Sequence, residues 1–472
     1  MPRRARHPMA VLAAAAAVPA VLLGALVVYA EGADDGVVFS APSSTVAAPL
    51  PPDVAAPLLS VRRAPAPLAA DHRRDVLADA TQALTAAVDG TSCMAVGLDD
   101  GTVAEANADA LVIPASNLKV VTAAAAASAL GAGAVFTTEV VGAAPVDGVV
   151  QGDVYLVGGG DPVLSEQWYT QPSPTRKRPP FNVTSVESLA QRLQAAGVTS
   201  ITGSVLGDGS RYDDERHPPG WSEGIRASVD GVPVGALVIN DSISRSGGIA
   251  SDPAAHAARV FRSVLRDQGI SVGGDSGTGT APGDAAVLAA VTSQPLGSIV
   301  NEMLATSDNL TAEMLVKEMG VATSQTGTRA AGLQVMADQM VEWGVVKEAF
   351  AFTDGSGLSR DNQITCAALL TVLQRGSSTD LVGSGLAKAG QDGSTLDGKF
   401  EEDGLRDVLQ AKTGSLTGVK ALCGYMPVAG QEIEFVLILN GPTAADFAGP
   451  WQRLGELLLA TAAAPGAATL AP

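Results

Sequence analysis

Hydrophobic and polar positions change rhythm several times along this chain. At residues 71–88 the apolar side chains Val76, Leu77, Ala80, Leu84 and Ala87 recur at helical spacing, which predicts a helix and the start of the folded part. Residues 92–98 and 102–108 flank Asp99-Asp100-Gly101, a turn that predicts an antiparallel hairpin. An alanine-rich run then extends from Val120 to Leu130 with no Gly or Pro before Gly131, predicting a helix that opens on Pro114-Ala115-Ser116-Asn117-Leu118-Lys119. Between residues 133 and 283 the texture differs. Short β-like runs at 137–141, 152–157, 200–206 and 235–239 alternate with Gly, Pro and Asp clusters, and helical segments fall near 185–196 and 253–268. The polar, basic, Pro-rich tract 171–180 reads as a surface loop.

Helical periodicity returns at 299–304, 310–319, 328–343 and 363–373; strand runs follow at 408–412, 419–425 and 432–440, with a closing helix at 444–460. A helix, a hairpin and a second helix at one end, with strands and a helix at the other, predict an α/β (α+β) fold. Its single antiparallel sheet would be closed by both termini and interrupted by a β-rich insertion. The expected organisation is a domain formed by 71–134 and 284–465, with 135–283 inserted into it.

Composition narrows the class. The 472 residues suit two or three domains, and 46% hydrophobic residues can build a large core, although only 4% are aromatic. The formal charge of −19, from 30 basic and 49 acidic residues, repels nucleic acid and anionic surfaces. Arg3, Arg4 and Arg6 precede an uncharged run at 9–30 that is long enough to span a bilayer, with the N-terminus inside and the rest of the chain exported. Val28-Tyr29-Ala30 offers a cleavage site, so 1–31 is expected as a signal anchor or signal peptide, the long run favouring the uncleaved anchor. Residues 32–70, rich in Ala, Pro and Ser, read as an extended linker. Cys93, Cys366 and Cys423 allow at most one intrachain disulfide; Cys366 to Cys423 and Cys93 to Cys423 are the pairings considered. His7, His72, His217 and His256 are scattered without ligand spacing, so no metal and no cofactor is expected.

The candidate chemistry starts at Ser116 and Lys119, which share one helix face three positions apart. An amine with a lowered pKa beside a serine can take its proton and make a nucleophile of it. Two further motifs follow in order: Ser307-Asp308-Asn309 at the start of a helical run, and Lys412-Thr413-Gly414-Ser415 at the end of a strand run. Only Lys119 among the lysines has a serine three positions before it, only Lys412 is followed by Thr-Gly, and only Asn309 among the asparagines has a serine two positions before it. Taken singly, Ser307 is as well explained as a helix cap and Gly414 as a strand-end turn; the ordered set matches a known catalytic signature.

With those motifs the chain resembles the penicillin-recognising serine enzymes. Within them it is similar to the class C low-molecular-mass penicillin-binding proteins, the D-alanyl-D-alanine carboxypeptidase/endopeptidase family of peptidase S13 type. Leu111 to Lys119, Gly158-Gly159-Gly160-Asp161-Pro162, Ser307 to Lys317, Asp354-Gly355-Ser356-Gly357-Leu358-Ser359-Arg360 and Ala411 to Val419 all look like that family's blocks, over about residues 74–462. The resemblance implies a penicillin-binding/β-lactamase-like domain with an antiparallel five-stranded sheet flanked by helices. It further implies an enzyme of the bacterial cell envelope acting on peptidoglycan stem peptides and acylated by β-lactams. In that reading Ser116 is the nucleophile, Lys119 the base, Ser307 the proton relay to the leaving amine, and Asn309 the holder of the substrate amide. Lys412 and Thr413 bind the substrate carboxylate, Gly414 lets the ligand lie along the strand, and the N–H groups of Ser116 and Ser415 form the oxyanion hole. Arg360 is a candidate substrate contact, and Glu223 is the acidic residue the inserted region offers without a clear family match. Asp354 and Asp161 read as turn-forming.

Rival readings are a serine β-lactamase and a non-catalytic penicillin-sensing or wall-binding protein. Gly220-Trp221-Ser222-Glu223-Gly224 matches Gly-x-Ser-x-Gly but follows Pro-Pro rather than a strand, so it reads as a loop. Oligomeric state is not readable from the sequence.

Overall fold

The computed structural model describes residues 65–173 and 178–464. The expected anchor, most of the expected linker and part of the basic tract lie outside the described residues. Among the described residues no helix is long and apolar enough to cross a membrane. The first helix, α1 (Pro65–Thr85), begins inside the segment expected as linker. It is followed by the expected hairpin of β1 (Cys93–Leu98) and β2 (Gly101–Ala106). Asp99 and Asp100 in its turn have φ of 50° and 62°, successive left-handed residues whose twist matches that of paired strands.

Helix α2 (Leu118–Leu130) follows the hairpin. Past the inserted region come α3 (Leu296–Thr306), α4 (Asn309–Ser324), α5 (Arg329–Glu342) and α6 (Cys366–Gln374). The chain closes with β3 (Ala387–Lys388), β4 (Gln410–Leu416), β5 (Val419–Val428), β6 (Gln431–Asn440) and α7 (Ala448–Ala463). The sheet order is β3-β4-β5-β6-β1-β2, antiparallel throughout. Five long strands meet the expectation, and the two-residue β3 makes a sixth. Alternation sorts their side chains. Cys93, Ala95, Ala421, Cys423 and Val436 pack against α2 to α6, whereas Met94, Val96, Leu422, Phe435 and Leu437 pack against α1 and α7. With helices on both faces, β1 is buried at every position and loses the half-polar pattern of a surface strand.

Because β3 pairs only with Ala411 and Gln410, β4 is an open edge from Lys412 onward. The Lys412 motif therefore lies inside a strand, where the sequence had put it at a strand end. Cys93 of β1 and Cys366 at the start of α6 form a disulfide, Cα to Cα 5.9 Å, and Cys423 is free and buried. Neither pairing considered from the sequence is present: Cys423 sits in mid-sheet opposite Lys412, whereas Cys93 faces the helix that starts at Cys366.

The inserted region has its own core. One mixed sheet runs Ser276–Thr278, Val205–Asp208, Val154–Val157, Thr137–Gly142, Ala286–Thr292, and a small parallel one runs Ser271–Val272, Ser200–Ile201, Val149–Val150. The strand Ala286–Thr292 lies beyond the expected boundary at 283 and pairs with Thr137–Gly142. The run at 200–206 is divided between the two sheets at Gly203, where a Cβ would come within 2.4 Å of the Gly152 backbone. Residues 235–239 form no strand. Their alternation is real, with Ala236 and Val238 entering one apolar cluster and Leu237 and Ile239 another, but each face is covered by side chains and no ladder forms.

The insertion meets the rest of the molecule along α4. Arg211 donates to both oxygens of Glu318 at 2.7 Å each, the Tyr212 hydroxyl donates to Glu318 at 2.7 Å, and Lys317 pairs with Asp213 and with Glu215 O. Charges inside a buried helix are tolerated because each has its partner.

Candidate active site

Three segments converge on one cavity of about 510 Å³. Ser116 sits in a single 3₁₀ turn (Ala115–Asn117) that runs directly into α2. Ala115, just before it, has φ of 47°, a left-handed conformation that costs an alanine on the order of 1–3 kcal/mol. The crowding around that residue explains how it is held. A Cβ at Gly357 (φ 82°) would lie 1.9 Å from Ala115 O, and one at Gly414 would lie 2.9 Å from Pro114 O. Only glycine lets the 354–360 loop and the β4 edge come this close to the backbone before Ser116.

Lys119 is fully buried and its amine is surrounded by acceptors: Ser356 O at 2.6 Å, Asn309 Oδ1 at 2.7 Å and Ser116 Oγ at 3.1 Å. The two carbonyl oxygens can only accept, so they hold N–H bonds in either protonation state. When the amine is free, its lone pair is left pointing at the Ser116 hydroxyl. Burial pushes the Lys119 pKa down to about 8, against the opposing pull of Asp308, Asp354, Glu313 and Asp230. A base of that strength suits a proton transfer near neutral pH.

Ser307 closes α3 in a left-handed conformation (φ 67°, ψ 37°), and Asp308 then caps α4 by accepting from Thr311 N at 2.6 Å. This kink turns the Ser307 hydroxyl to the cavity beside Asn309 of the next helix. Lys412, also fully buried, donates to Ser307 Oγ at 2.8 Å and to Thr413 O at 2.9 Å. Its pKa is held well below that of a free lysine, by burial and then by the charge of Lys119. Thr413 and Ser415 line the cavity from the open strand edge, with Ser116, Ser307 and Asn309 across from them.

Arg360 and Glu223 lie apart. Arg360 is exposed and donates to Thr417 O at 2.7 Å, outside the cavity lining. Glu223 is exposed in a single helical turn (Glu223–Arg226) that Ser222 caps by accepting from Ile225 N, so the Gly-x-Ser-x-Gly serine has a local structural use.

Sequence reasoning missed three contributors, Glu313, Asp230 and Arg178, and assigned a fourth, Asp354, a turn-forming role alone. Glu313, one helical turn after Asn309, is buried and accepts from Gly355 N and Ser356 N, fixing the carbonyl that holds Lys119. A carboxylate in the otherwise apolar run 310–316 was the available signal. Burial first, and then Asp354, push its pKa up to about 8. Asp354 accepts from the backbone of Gly357 and Ser359, from Asn362 and from Trp221 Nε1, so the turn-forming role expected of it extends to tying the insertion to the site loop. The backbone carbonyl of Asp230 accepts from Asn309 Nδ2 at 3.0 Å. Arg178, from the tract read as a surface loop, lines the cavity and donates to Thr306 O at 3.3 Å and Ser394 O at 3.2 Å. Nothing local in the sequence signalled the last two contacts.

The chain matches the D-Ala-D-Ala carboxypeptidase 3 (S13) family over residues 75–249 and 244–454. It is 31% identical over 413 residues to a D-alanyl-D-alanine carboxypeptidase of Actinomadura sp. (strain R39), covering 70% of this chain and 73% of that one. A carboxypeptidase of Mycobacterium tuberculosis is 29% identical over 352 residues, covering 70% and 72%. Among solved structures, penicillin binding protein 4 (dacB) from Haemophilus influenzae superposes with a TM-score of 0.66 at 21% identity, covering 81% of this chain and 98% of that one, which shows the fold. On these grounds the chain belongs to the D-Ala-D-Ala carboxypeptidase 3 (S13) family.

Proposed function

We propose that this protein is a serine D-Ala-D-Ala carboxypeptidase, with endopeptidase activity at the same site, acting on peptidoglycan stem peptides and acylated by β-lactams. The observation that carries the reading is that Ser116, Ser307 and Asn309 line one cavity with the buried amines of Lys119 and Lys412 bonded to the two serine hydroxyls behind it. Ser116 Oγ attacks the carbonyl of the penultimate D-Ala while Lys119 takes its proton. The oxyanion is received by the N–H groups of Ser116 and Ser415. Collapse breaks the peptide bond, and the Ser307 hydroxyl, backed by Lys412, passes a proton to the departing amine. Water then cleaves the ester by the same proton traffic in reverse. Asn309 holds the amide of the acyl portion, and Lys412, Thr413 and Ser415 hold the terminal carboxylate. Gly414 keeps the open edge of β4 clear, so the peptide can lie along it as an added strand.

The domain reading belongs to the same proposal: 71–134 and 284–465, less the Ala286–Thr292 strand that joins the insertion's sheet, carry the chemistry, and the inserted region walls the cavity. So does export to the bacterial envelope, with the apolar run at 9–30 as a membrane anchor or as a signal peptide cleaved on secretion; the Cys93–Cys366 disulfide supports an oxidising compartment. Incubation with a fluorescent penicillin, followed by denaturing electrophoresis, should label the protein and fail to label Ser116→Ala. Release of D-Ala from a stem pentapeptide, measured beside cleavage of a cross-linked dimer, reads the two peptidase activities. A labelled Ser116→Ala protein, or one that releases D-Ala, would sink the assignment.

A further inference from the structure

The end of the cavity beyond Ser307 differs in charge from the rest of the molecule. The chain carries a formal charge of −19, yet three cations from three separate segments meet here. Arg178 of the inserted region donates to Thr306 O and Ser394 O, Lys399 donates to Thr395 O at 2.7 Å, and Lys420 donates to Ser415 Oγ at 2.6 Å. Thr306, Thr395 and Ser415 all line the cavity, so each cation is anchored on its rim. None of the three forms an ion pair among the described residues, although the Lys420 amine also lies over the Phe447 ring, 4.8 Å from its centroid, which leaves Arg178 and Lys399 as the principal pair. They are close enough to repel: Lys399 has its pKa lowered by burial, then by Arg178, with Lys420 adding to it and Asp397 opposing. Of the carboxylates on the cavity wall, Glu302 accepts from Phe181 N and Asn182 N, and Asp308 accepts from Thr311 N. Those bonds from Phe181 and Asn182 also strap the inserted chain along α3 and deliver Arg178 to this end.

Unpaired cations crowded at the rim of a cleft are stabilised by an anionic ligand that enters between them. We infer that Arg178 and Lys399, with Lys420 beside them, form a second anion subsite on the leaving-group side. It lies past the terminal-carboxylate contacts of Thr413 and Ser415, and it takes a further carboxylate carried by the departing amine. The inference rests on the reading of the site given above, because it takes Ser307 as the group that protonates that amine. A leaving amine with more than one carboxylate is the chemistry of the acceptor strand of a cross-linked peptide, whereas free D-alanine has only one. The subsite therefore selects cross-linked, polyanionic leaving groups.

The test uses the purified protein and three stem peptides that differ only in the last residue: D-Ala, D-Glu and D-Gln. D-Glu and D-Gln match in shape and differ in charge. The protein should cleave the D-Glu peptide with kcat/KM about tenfold above the D-Gln peptide, the size of one charge-assisted contact. That preference should shrink as salt is raised from ~0.05 M to ~0.5 M. Lys399→Gln should bring the D-Glu to D-Gln ratio towards one while D-Ala release stays within about twofold of the parent; Arg178→Gln should lower the same ratio whatever its effect on the overall rate, and Arg178→Lys should keep most of the preference. The salt series needs no variant, so misfolding of either cannot shield the inference. A ratio near one in the parent protein, or an unchanged ratio in both variants, would overturn it with the peptidase reading intact. Absence of cleavage of all three peptides together with absence of penicillin labelling would instead overturn the peptidase reading.

Discussion

Two lysines, both fully buried and both hydrogen-bonded to a serine hydroxyl, anchor opposite sides of the cleft, and their surroundings differ. Lys119 lies among Asp308, Asp354, Glu313 and Asp230, whose charges favour its ammonium form and hold its pKa at about 8 despite burial. Lys412 faces Lys119 and Arg178, and the acidic group beside it is Cys423, a thiol that burial pushes up to about 12 and so leaves neutral. Equal burial thus gives unequal amines. Lys119 keeps its proton until just above neutrality, and once it is free its lone pair is directed at the Ser116 hydroxyl. Lys412, held well below the ordinary lysine range by burial and then by the charge of Lys119, is placed to pass a proton between Ser307 and the leaving amine. The neighbours, more than the motif residues, separate a base from a relay.

The largest effects should come from removing each amine in turn. Lys119→Ala should slow acylation by a fluorescent penicillin on the order of 10⁴-fold, and Lys412→Ala by about 10²-fold, the two ends of the range for a positioned proton-transfer group. Stopped-flow labelling measures both. Equal losses would erase the distinction between the two sides of the cleft.

A smaller effect sharpens it. Because the free amine of Lys119 is the reactive form, the acylation rate of the parent protein should rise with pH through about 8 and level off above it. Glu313→Gln removes a carboxylate that favours the ammonium, so the Lys119 pKa falls and the rising limb moves to lower pH. The amide oxygen can still accept from Ser356 N, which preserves the carbonyl that holds Lys119. Glu313 is itself pushed up to about 8, and Asp308, Asp354 and Asp230 remain, so the move should be less than about one pH unit. A limb that stays in place, or moves upward, would mean that Glu313 does not act on Lys119 through charge.

What was legible in the sequence follows the range of the interactions. Ser116 and Lys119 are three residues apart on one helix, so their juxtaposition needs only helical geometry. The remaining motif groups were found by pattern, and their side chains meet because α4 and β4 pack against α2 and its opening turn, as periodicity in 299–343 and 408–440 had suggested in outline. The hairpin at Asp99-Asp100 and the helix starts at Ser185, Thr328 and Thr365 are local, each with its own turn or cap. The rest depends on contacts between distant residues. Residues 235–239 alternate like a strand but enter no ladder, the bond from Gly160 N to Ala236 O standing alone. Cys93 bonds Cys366 because the sheet and α6 bring them together across 273 positions, a fact that no spacing rule reaches. Arg178 reads as part of a soluble basic tract until the insertion folds back and presents it to Thr306.

Trp221 offers the gentlest perturbation, since it touches the Lys119 side only through Asp354. Its indole N–H donates to Asp354 Oδ2 at 2.9 Å in a fully buried contact, while the same carboxylate accepts from Ser359 N at 2.7 Å and, on its other oxygen, from Gly357 N and Asn362 Nδ2. Trp221→Phe keeps most of the ring and removes one donor of four. A buried bond to a charged acceptor is worth about 1.5–3 kcal/mol, so thermal or denaturant unfolding should show a stability loss within that range. The three remaining donors still fix the 354–360 loop, so Ser356 O stays on Lys119 and acylation should change by less than about threefold. If the variant instead lost acylation with its stability intact, the insertion would be setting the protonation of Lys119 through Asp354, and the contrast between the two lysines would have to be redrawn as one imposed by the inserted region.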